Sequence, residues 1–543
     1  EGIVHGGSDC SYMFYMCTNL ISIDFAGFDT SKVVRMKSMF SWCMSIKQLN
    51  LNSLNTSAVT DMREMFDYCN SITSLDISNF DTSKVTTMRA MFSDCKALTH
   101  LNLNCFNVSS VIDMGYMFRG CDSLVQIDFN NFITSEVTNM ECMFAYCSNI
   151  TSLDLNSFDT SKVTTMSQMF YGCSALTSLD LCNFNTSAVT NMENMFEDCS
   201  SLTSLNLSSF NTSNVTAMCF DSGGMFKNCS SLIQLDLSNF DTSNVIKMGN
   251  MFNCCKSLKT LDLSNFDTSN VTTMCNNYGG MFSYCSSLTS IDLSSFNTSK
   301  VTDMSMMFEG CSNLTSIDVS NFDTSNVANM YRMFRRCSNL TALDLSNFNT
   351  SKVTDMTGMF SECSSFTSLN LSNFDTSRVT RMCYVYFGMF QGCSNLTSLD
   401  LSSFDTSKVT DMSNMFKDCS KLSTLKLGEN FDSLSNTKLP DPSPIGTENG
   451  QYTGKWTKGT PFNHADAITA SKLMDTFTGA TMADTWYWEK NGQDPAEQTY
   501  TSIRDRVFSS ADFTPTDDMT QEQKDALAAA RDTLLAQYQT EDK

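Results

Sequence analysis

The sequence predicts an α/β fold, a right-handed solenoid of 16 coils, and three observations predict it. The pair Met-Phe followed by x-x-Cys recurs sixteen times, from Met13-Phe14…Cys17 to Met415-Phe416…Cys419, at steps of 26 residues except for three of 30. Two hydrophobic periods alternate inside each unit. Leu399-Asp400-Leu401 has the alternation of a half-buried strand, whereas Met412, Met415, Phe416, Cys419 and Leu422 have the spacing of one face of a short helix. Finally, all six prolines lie after residue 439, which suits stacked elements that cannot lose a ladder donor.

Within a coil the strand leads into Asp405-Thr406-Ser407, whose side chains favour a turn by bonding the local backbone. A second extended piece runs through Val409. Thr410 stands at an N-cap position and Asp411 complements the positive helix end, so a short helix is expected over the Met-Phe segment. No single coil can bury its apolar side, so neighbours stack, with a parallel sheet roughly 75 Å long on one face. Leu/Ile, Phe (Phe80, Phe158, Phe240, Phe322, Phe404), Val, Met and Cys form inward ladders. Most of the 37 methionines belong to two of these ladders; their spacing favours core packing over soft-metal binding. Sixteen of the 24 cysteines form another. Stacked Cβ atoms about 5 Å apart exceed the roughly 3.8 Å of a disulfide, so these thiols are expected reduced and buried. No C-x-x-C pair suggests zinc.

A coil of the form SLTSLDLSNFDTSNV with its trailing MFxxC resembles the leucine-rich repeats of BspA-like bacterial surface proteins, including the related repeats of mycoplasma lipoproteins. The resemblance covers residues 10 to 427. It implies a leucine-rich-repeat solenoid with coils of 26–30 residues, a parallel sheet on one face and short helices on the other. The region around Gly454-Lys455-Trp456 and Trp486-Tyr487-Trp488 is similar to the segments that come after such arrays in surface proteins of Gram-positive gut bacteria. The resemblance implies an extracellular, non-enzymatic adhesin at a bacterial cell surface, and carries over no binding residue.

Charge narrows the partners. A formal net charge of −23 argues against nucleic acid or an anionic membrane. No apolar run is long enough to span a bilayer. Beginning Glu1-Gly2-Ile3, the chain reads as a mature product or an excised fragment. The expected partner is a host extracellular or cell-surface protein or glycan. His100 reads as a solvated strand residue, and His464, beside Asp466, carries no catalytic signature.

Three features are candidate sites. The outward strand column is acidic, and its run Asp236, Asp262, Asp292, Asp318, Asp344 is either a solvated stripe relieved by serine donors or a weak calcium-binding row. No cofactor is expected, with calcium on that row as the alternative. The three long coils carry Met218-CFDSGG-Met225, Met274-CNNYGG-Met281 and Met382-CYVYFG-Met389. Their Phe220, Tyr278, Tyr384, Tyr386 and Phe387 are candidate ligand contacts, because insertions along one edge of a solenoid often mark a binding face; neutral length variation is the alternative. The four added residues equal about one helical turn and are expected to bulge or lengthen the helical edge. Arg332, Arg335 and Arg336 form an isolated basic spot.

The solenoid is assigned to residues 1–430, a small Trp/Tyr-rich capping domain to 431–498, and a linker and helix to 499–543. Trp456, Trp486, Tyr487 and Trp488 suit a small core better than sugar stacking. Thr520 and Gln523 form a capping-box pattern. Surface recognition is the leading function; a rigid surface spacer and a weak calcium-binding solenoid are the alternatives.

Overall fold

In a computed structural model the described residues are 4–129, 132–276, 279–441, 451–495 and 513–541, with 498, 501, 502 and 504. From residue 10 to 427 the chain is a stack of coils held by parallel pairing at the repeat interval. The residue before each first Met, with Asp9 before Cys10 at the start, forms a ladder in two runs, Asp9 to Arg35 to Asp61 and onward to Ala217, and Lys247 to Arg381. On the Leu-x-Leu side the parallel pairs are short and separate: His100–Asn102 with Gln126–Asp128, Ser178–Asp180 with Ser204–Asn206, and Ser398–Leu401 with Thr424–Leu427. The long continuous sheet expected there is thus broken into patches.

The expected short helices are absent: among the described residues no helix falls between 10 and 427. The Met-x-x-Met-Phe-x-x-Cys segment is instead a run of tight turns. Met39 N–H closes on Met36 O, Ser41 on Ser38 O and Cys43 on Phe40 O, while Ser38 and Trp42 hold φ of 52° and 63°. Positive φ at the third residue with an i to i+3 bond is type II turn geometry. The alternate N–H groups reach the next coil: Met36 to Asp61 O, Ser38 to Arg63 O, Phe40 to Met65 O and Trp42 to Asp67 O, at 2.8–2.9 Å. A helix would keep every donor inside its own coil. Turns free half of them to stitch coils together, and still bring residues three and four apart to one side, which is why the two readings share an apolar pattern. Thr410 and Asp411 therefore cap no helix: Thr410 Oγ1 donates to Thr380 O, and Asp411 Oδ1 accepts from Ser413 N–H.

The inward columns pack as expected. Both Met columns are fully buried from Met36 to Met389, and the Phe rings stack from Phe14 to Phe416, with planes such as Phe40 and Phe66 at 5.6 Å and 3°. All 24 cysteines are free thiols. Each ladder thiol from Cys43 to Cys419 donates to the Phe carbonyl of the preceding coil, as Cys69 does to Phe40 O at 3.2 Å, whereas Cys17, in the first coil with none before it, is exposed. Burial pushes the thiols from Cys43 to Cys419 up, to about 12 at Cys173 and Cys311. The threonine of Asp-Thr-Ser is also a buried column: Thr56 Oγ1 donates to Asp81 O at 3.0 Å and accepts Asp81 N–H at 2.8 Å.

Beyond the last coil, residues 430–437 supply the acceptors that a further coil would: Asn430 O takes Thr406 N–H, Asn436 O takes Asn414 N–H, and Thr437 O takes Phe416 N–H. Strand Asp484–Lys490 pairs antiparallel with Thr424–Leu427 and with Tyr452–Lys458 on its other side. Trp456 and Trp486 are buried there, their indoles donating to Pro440 O and Met482 O. His464 meets buried Glu489 at 2.6 Å, which raises its pKa. Helix Gln521–Glu541 opens on the reciprocal Thr520–Gln523 pair. No helix is long and apolar enough to cross a membrane among the described residues.

Candidate functional site: the inserted edge

The inserts do not lengthen a helix, because none is there. Cys275–Asn276 pairs antiparallel with Gly279–Gly280, and Cys383–Tyr384 with Phe387–Gly388, so two of the three inserts are minimal hairpins projecting from the turn segment. Their closing glycines are needed for close approach. A Cβ at Gly280 would lie 2.5 Å from Met306 C, and one at Gly388 would lie 2.3 Å from Asn414 O. The hairpin returns directly onto the next coil.

The first two inserts are joined. Asn250, in the coil between them, donates to Ser222 O of the first and to Asn276 Oδ1 of the second. Lys227 Nζ holds the first insert from below, on Ser222 O at 2.9 Å and Glu197 Oε1 at 2.8 Å. Phe220 is left 59% exposed at the rim of a cavity of about 190 Å³. Tyr278 lies outside the described residues.

In the third insert Tyr384, Val385 and Tyr386 are 58%, 55% and 70% exposed, with Val385 at φ 55° in the turn. Phe387 points the other way. The guanidinium groups of Arg332 and Arg335 both lie 4.2 Å from its ring centroid, and Arg332 also sits 4.6 Å from the Tyr331 ring. These partners come from a coil two steps earlier. They meet because the coil between has Gly358 at the column position, with Phe387 Cβ and Arg332 Cγ nearest to where its side chain would be. Arg335 is 3% exposed and ties Glu309 Oε1 and Glu362 Oε1 together, each at 2.7 Å; Arg336 Nε adds a 2.8 Å contact to Glu362 Oε2. Burial alone would raise the Glu362 carboxyl, but hydrogen bonds and charge from Arg336 and Arg335 hold it below its usual value. Arg332 and Arg335 are therefore not a free basic spot: with Phe387 they form a clamp that fixes the hairpin while its tip faces solvent, and Arg336, 46% exposed, is paired with Glu362 beside it.

The acidic row is arranged differently. Asp236, Asp262, Asp292, Asp318 and Asp344 each turn Oδ1 to the backbone N–H two residues on, at 2.9–3.0 Å. Those serine donors lower all five carboxyls. Among the described residues no group of three or more His, Cys, Asp or Glu side chains converges as a metal site. At the end of the column Lys426 Nζ meets Asp400 at 3.0 Å. His100 is exposed, with Thr99 Oγ1 beside it.

Sequence reasoning missed Tyr146, Gln168, Tyr171 and Asn194, which share the cavity beside Phe220. They stand at positions that vary from coil to coil, and only the coincidence of an insert with Gly172 hinted at a gap there.

The array belongs to a family defined by its repeats. The family described as "Mycoplasma protein of unknown function, DUF285" matches residues 8–127, 122–221, 205–290, 276–388 and 338–438, and the chain is a member of it. No curated protein matches. Among solved structures, the chain is similar to a leucine-rich repeat protein from Eubacterium ventriosum at 15% identity and TM-score 0.30, covering 60% of this chain and 84% of that one. It is also similar to TLR13, solved in a complex with ssRNA13, at 16% identity and TM-score 0.21, covering 78% and 77%.

Proposed function

We infer that this protein is a recognition module of the bacterial cell surface, of the adhesin type seen in BspA-like proteins, which engages a host or neighbouring-cell protein or glycan through the inserted edge. One observation carries the reading: an aromatic tip, Tyr384-Val385-Tyr386, is held out to solvent by a buried clamp on Phe387. Exposed aromatic groups on a fixed support are the anchors that dominate binding energy, because little conformational entropy is lost on contact. The strand face, by contrast, presents serine, threonine and acids, and offers no such anchor. No reaction is assigned to it. The module acts by holding a ligand, and its acidic charge favours partners that are neutral or basic.

The experiment is a binding screen of the whole chain against host matrix proteins, mucin glycans and neighbouring bacteria, repeated with the double substitution Tyr384→Ser, Tyr386→Ser. Retention of a partner by the parent chain, weakened tenfold or more in the variant, supports the reading. Binding to nothing in the panel would leave a rigid spacer as the better account.

A further inference from the structure

Beside Phe220, four successive coils line an open cavity of about 190 Å³, and its walls are built where the columns break. Gly172 stands in one column; a Cβ there would lie 3.1 Å from Tyr146 Cδ1. Tyr146 of the preceding coil therefore leans across and meets Tyr171 edge-on, with centroids 4.9 Å apart. At the other end, a Cβ at Gly223 would lie 2.2 Å from Asn194 Nδ2 and 2.3 Å from Glu197 Oε2, so the insert settles directly onto both side chains. The result is a notch walled by Tyr146, Tyr171 and Phe220.

The polar groups inside it are oriented. Asn194 is 4% exposed, and its Oδ1 accepts Phe220 N–H at 3.1 Å, which leaves its Nδ2 against Gly223. Gln168 Oε1 accepts the Cys142 thiol at 3.4 Å, leaving Nε2 as its outer end. Among the described residues neither amide N–H₂ meets an acceptor, and both side chains line the cavity. Glu197 is matched by Lys227 at 2.8 Å, so the exposed Asp221 is the carboxylate left to a ligand.

This set of groups discriminates between ligand classes. A cation needs acceptors and would meet the amide N–H₂ groups of Gln168 and Asn194 in the lining; an anion would face Asp221. A neutral ring bearing hydroxyls can accept from both amides, donate to Asp221 and lay its C–H face on an aromatic wall. Pockets for drug-sized ligands measure about 300–1,000 Å³, and this notch is smaller, on the scale of one ring. We propose that the cavity is a subsite for a single neutral pyranose of a glycan. The proposal rests on the recognition reading above and narrows its ligand at one place on the edge.

The test is saturation-transfer NMR on the full chain with the methyl pyranosides of glucose, galactose, mannose and N-acetylglucosamine. At least one is expected to bind with Kd on the order of 1 mM. Phe220→Ala and Asn194→Asp should each weaken it tenfold or more, with Tyr386→Ala leaving it unchanged. Phe220 is exposed, so its variant decides the matter should the buried Asn194 change prevent folding. No transfer to any pyranoside, or transfer that survives both substitutions, would overturn the proposal. So would saturation of tetramethylammonium that is lost in Phe220→Ala, which assigns the notch to cations. The Tyr384/Tyr386 screen is read at another insert, so a failure here leaves the recognition reading standing.

Discussion

In the coil that ends at Cys311, Phe308 stacks on Phe282 and Phe334 at 5.7 and 5.6 Å, and the Cys311 thiol bonds Phe282 O. Every inward group meets its own kind in the neighbouring coils. In the coil that carries 382–389, Phe387 meets no phenylalanine column; it meets two arginines reaching over Gly358 from two coils away. The comparison separates two jobs. Repetition builds a stack in which each coil satisfies the next, and departures from repetition bring unlike side chains together across more than one coil. Chemistry that could select a ligand lies in the departures.

The sharpest break in that comparison comes from removing one ring of the column. Phe308→Ala is expected to cost about 3–5 kcal/mol, the usual penalty for emptying a buried phenylalanine site. Phe220→Ala, at an exposed insert, should stay within about 0.5 kcal/mol. Urea denaturation followed by circular dichroism measures both; equal losses would erase the distinction between column and insert.

A loss of similar order is expected inside the clamp. Arg335→Met leaves Glu309, 1% exposed, without its 2.7 Å partner, and breaking a buried pair from one side costs about 3–5 kcal/mol. The accompanying local readout is amide exchange at residues 383–388, which should accelerate as the hairpin loses its hold on Phe387. Destabilisation with unchanged hairpin protection would mean that the arginines brace the stack and leave the hairpin to hold itself.

Much of the stack was legible in the sequence because identity at a fixed interval reports burial directly: Met, Phe, Val, Leu and Cys all face inward. The turn segment was not legible as turns, since two type II turns and one helical face place the same residues together. A sign was nevertheless present. Glycine directly precedes the ladder cysteine at 120, 172, 310 and 392, each with φ of 67–76°, a conformation that no helix uses. The Asp-Thr-Ser motif hid a second column, because a threonine that bridges coils looks like any turn threonine. The site was least legible. Phe387, Arg332 and Arg335 were singled out separately, but their meeting depends on an empty side-chain position at Gly358 in a third coil, a relation that spacing within one coil cannot express.

That threonine column carries a natural gap at Val108, where the coil reads Asn107-Val108-Ser109. Val108→Thr is nearly isosteric and restores one bridging hydroxyl, so stability should rise by about 1 kcal/mol. Thr56→Val, which removes such a bridge, should lower it by a similar amount; a neutral result for both would reduce the column to packing.

The thiol column predicts a pH effect of defined sign. Unfolded thiols ionise near 8.5, whereas burial holds Cys173, Cys311 and Cys363 at about 12 in the folded chain. A raised folded pKa gives stability that is complete below the unfolded value and is lost as pH climbs toward the folded one. Melting temperature should therefore fall progressively above about pH 9, and thiol reagents at pH 8 should reach exposed Cys105, Cys182 and Cys17 of the first coil while sparing the buried ladder from Cys43 to Cys419 until denaturant is added.

The smallest effect belongs to the acidic row, where the sign reverses. Serine N–H groups depress Asp236 to Asp344, so their contribution is present above the unfolded carboxyl value of about 3.9 and disappears as pH drops through the lowered folded values. Being solvated, these groups respond to salt, and the response should be shallow. The same geometry bears on calcium. One oxygen of each carboxylate is already turned to its own backbone, and no described cluster of three ligands forms. Calcium favours six to eight oxygen ligands, so millimolar calcium and millimolar magnesium should shift the melting temperature alike. A rise peculiar to calcium would show that neighbouring coils pool their second oxygens around an ion, and would move the row from the repeating side of the comparison to the ligand-selecting one.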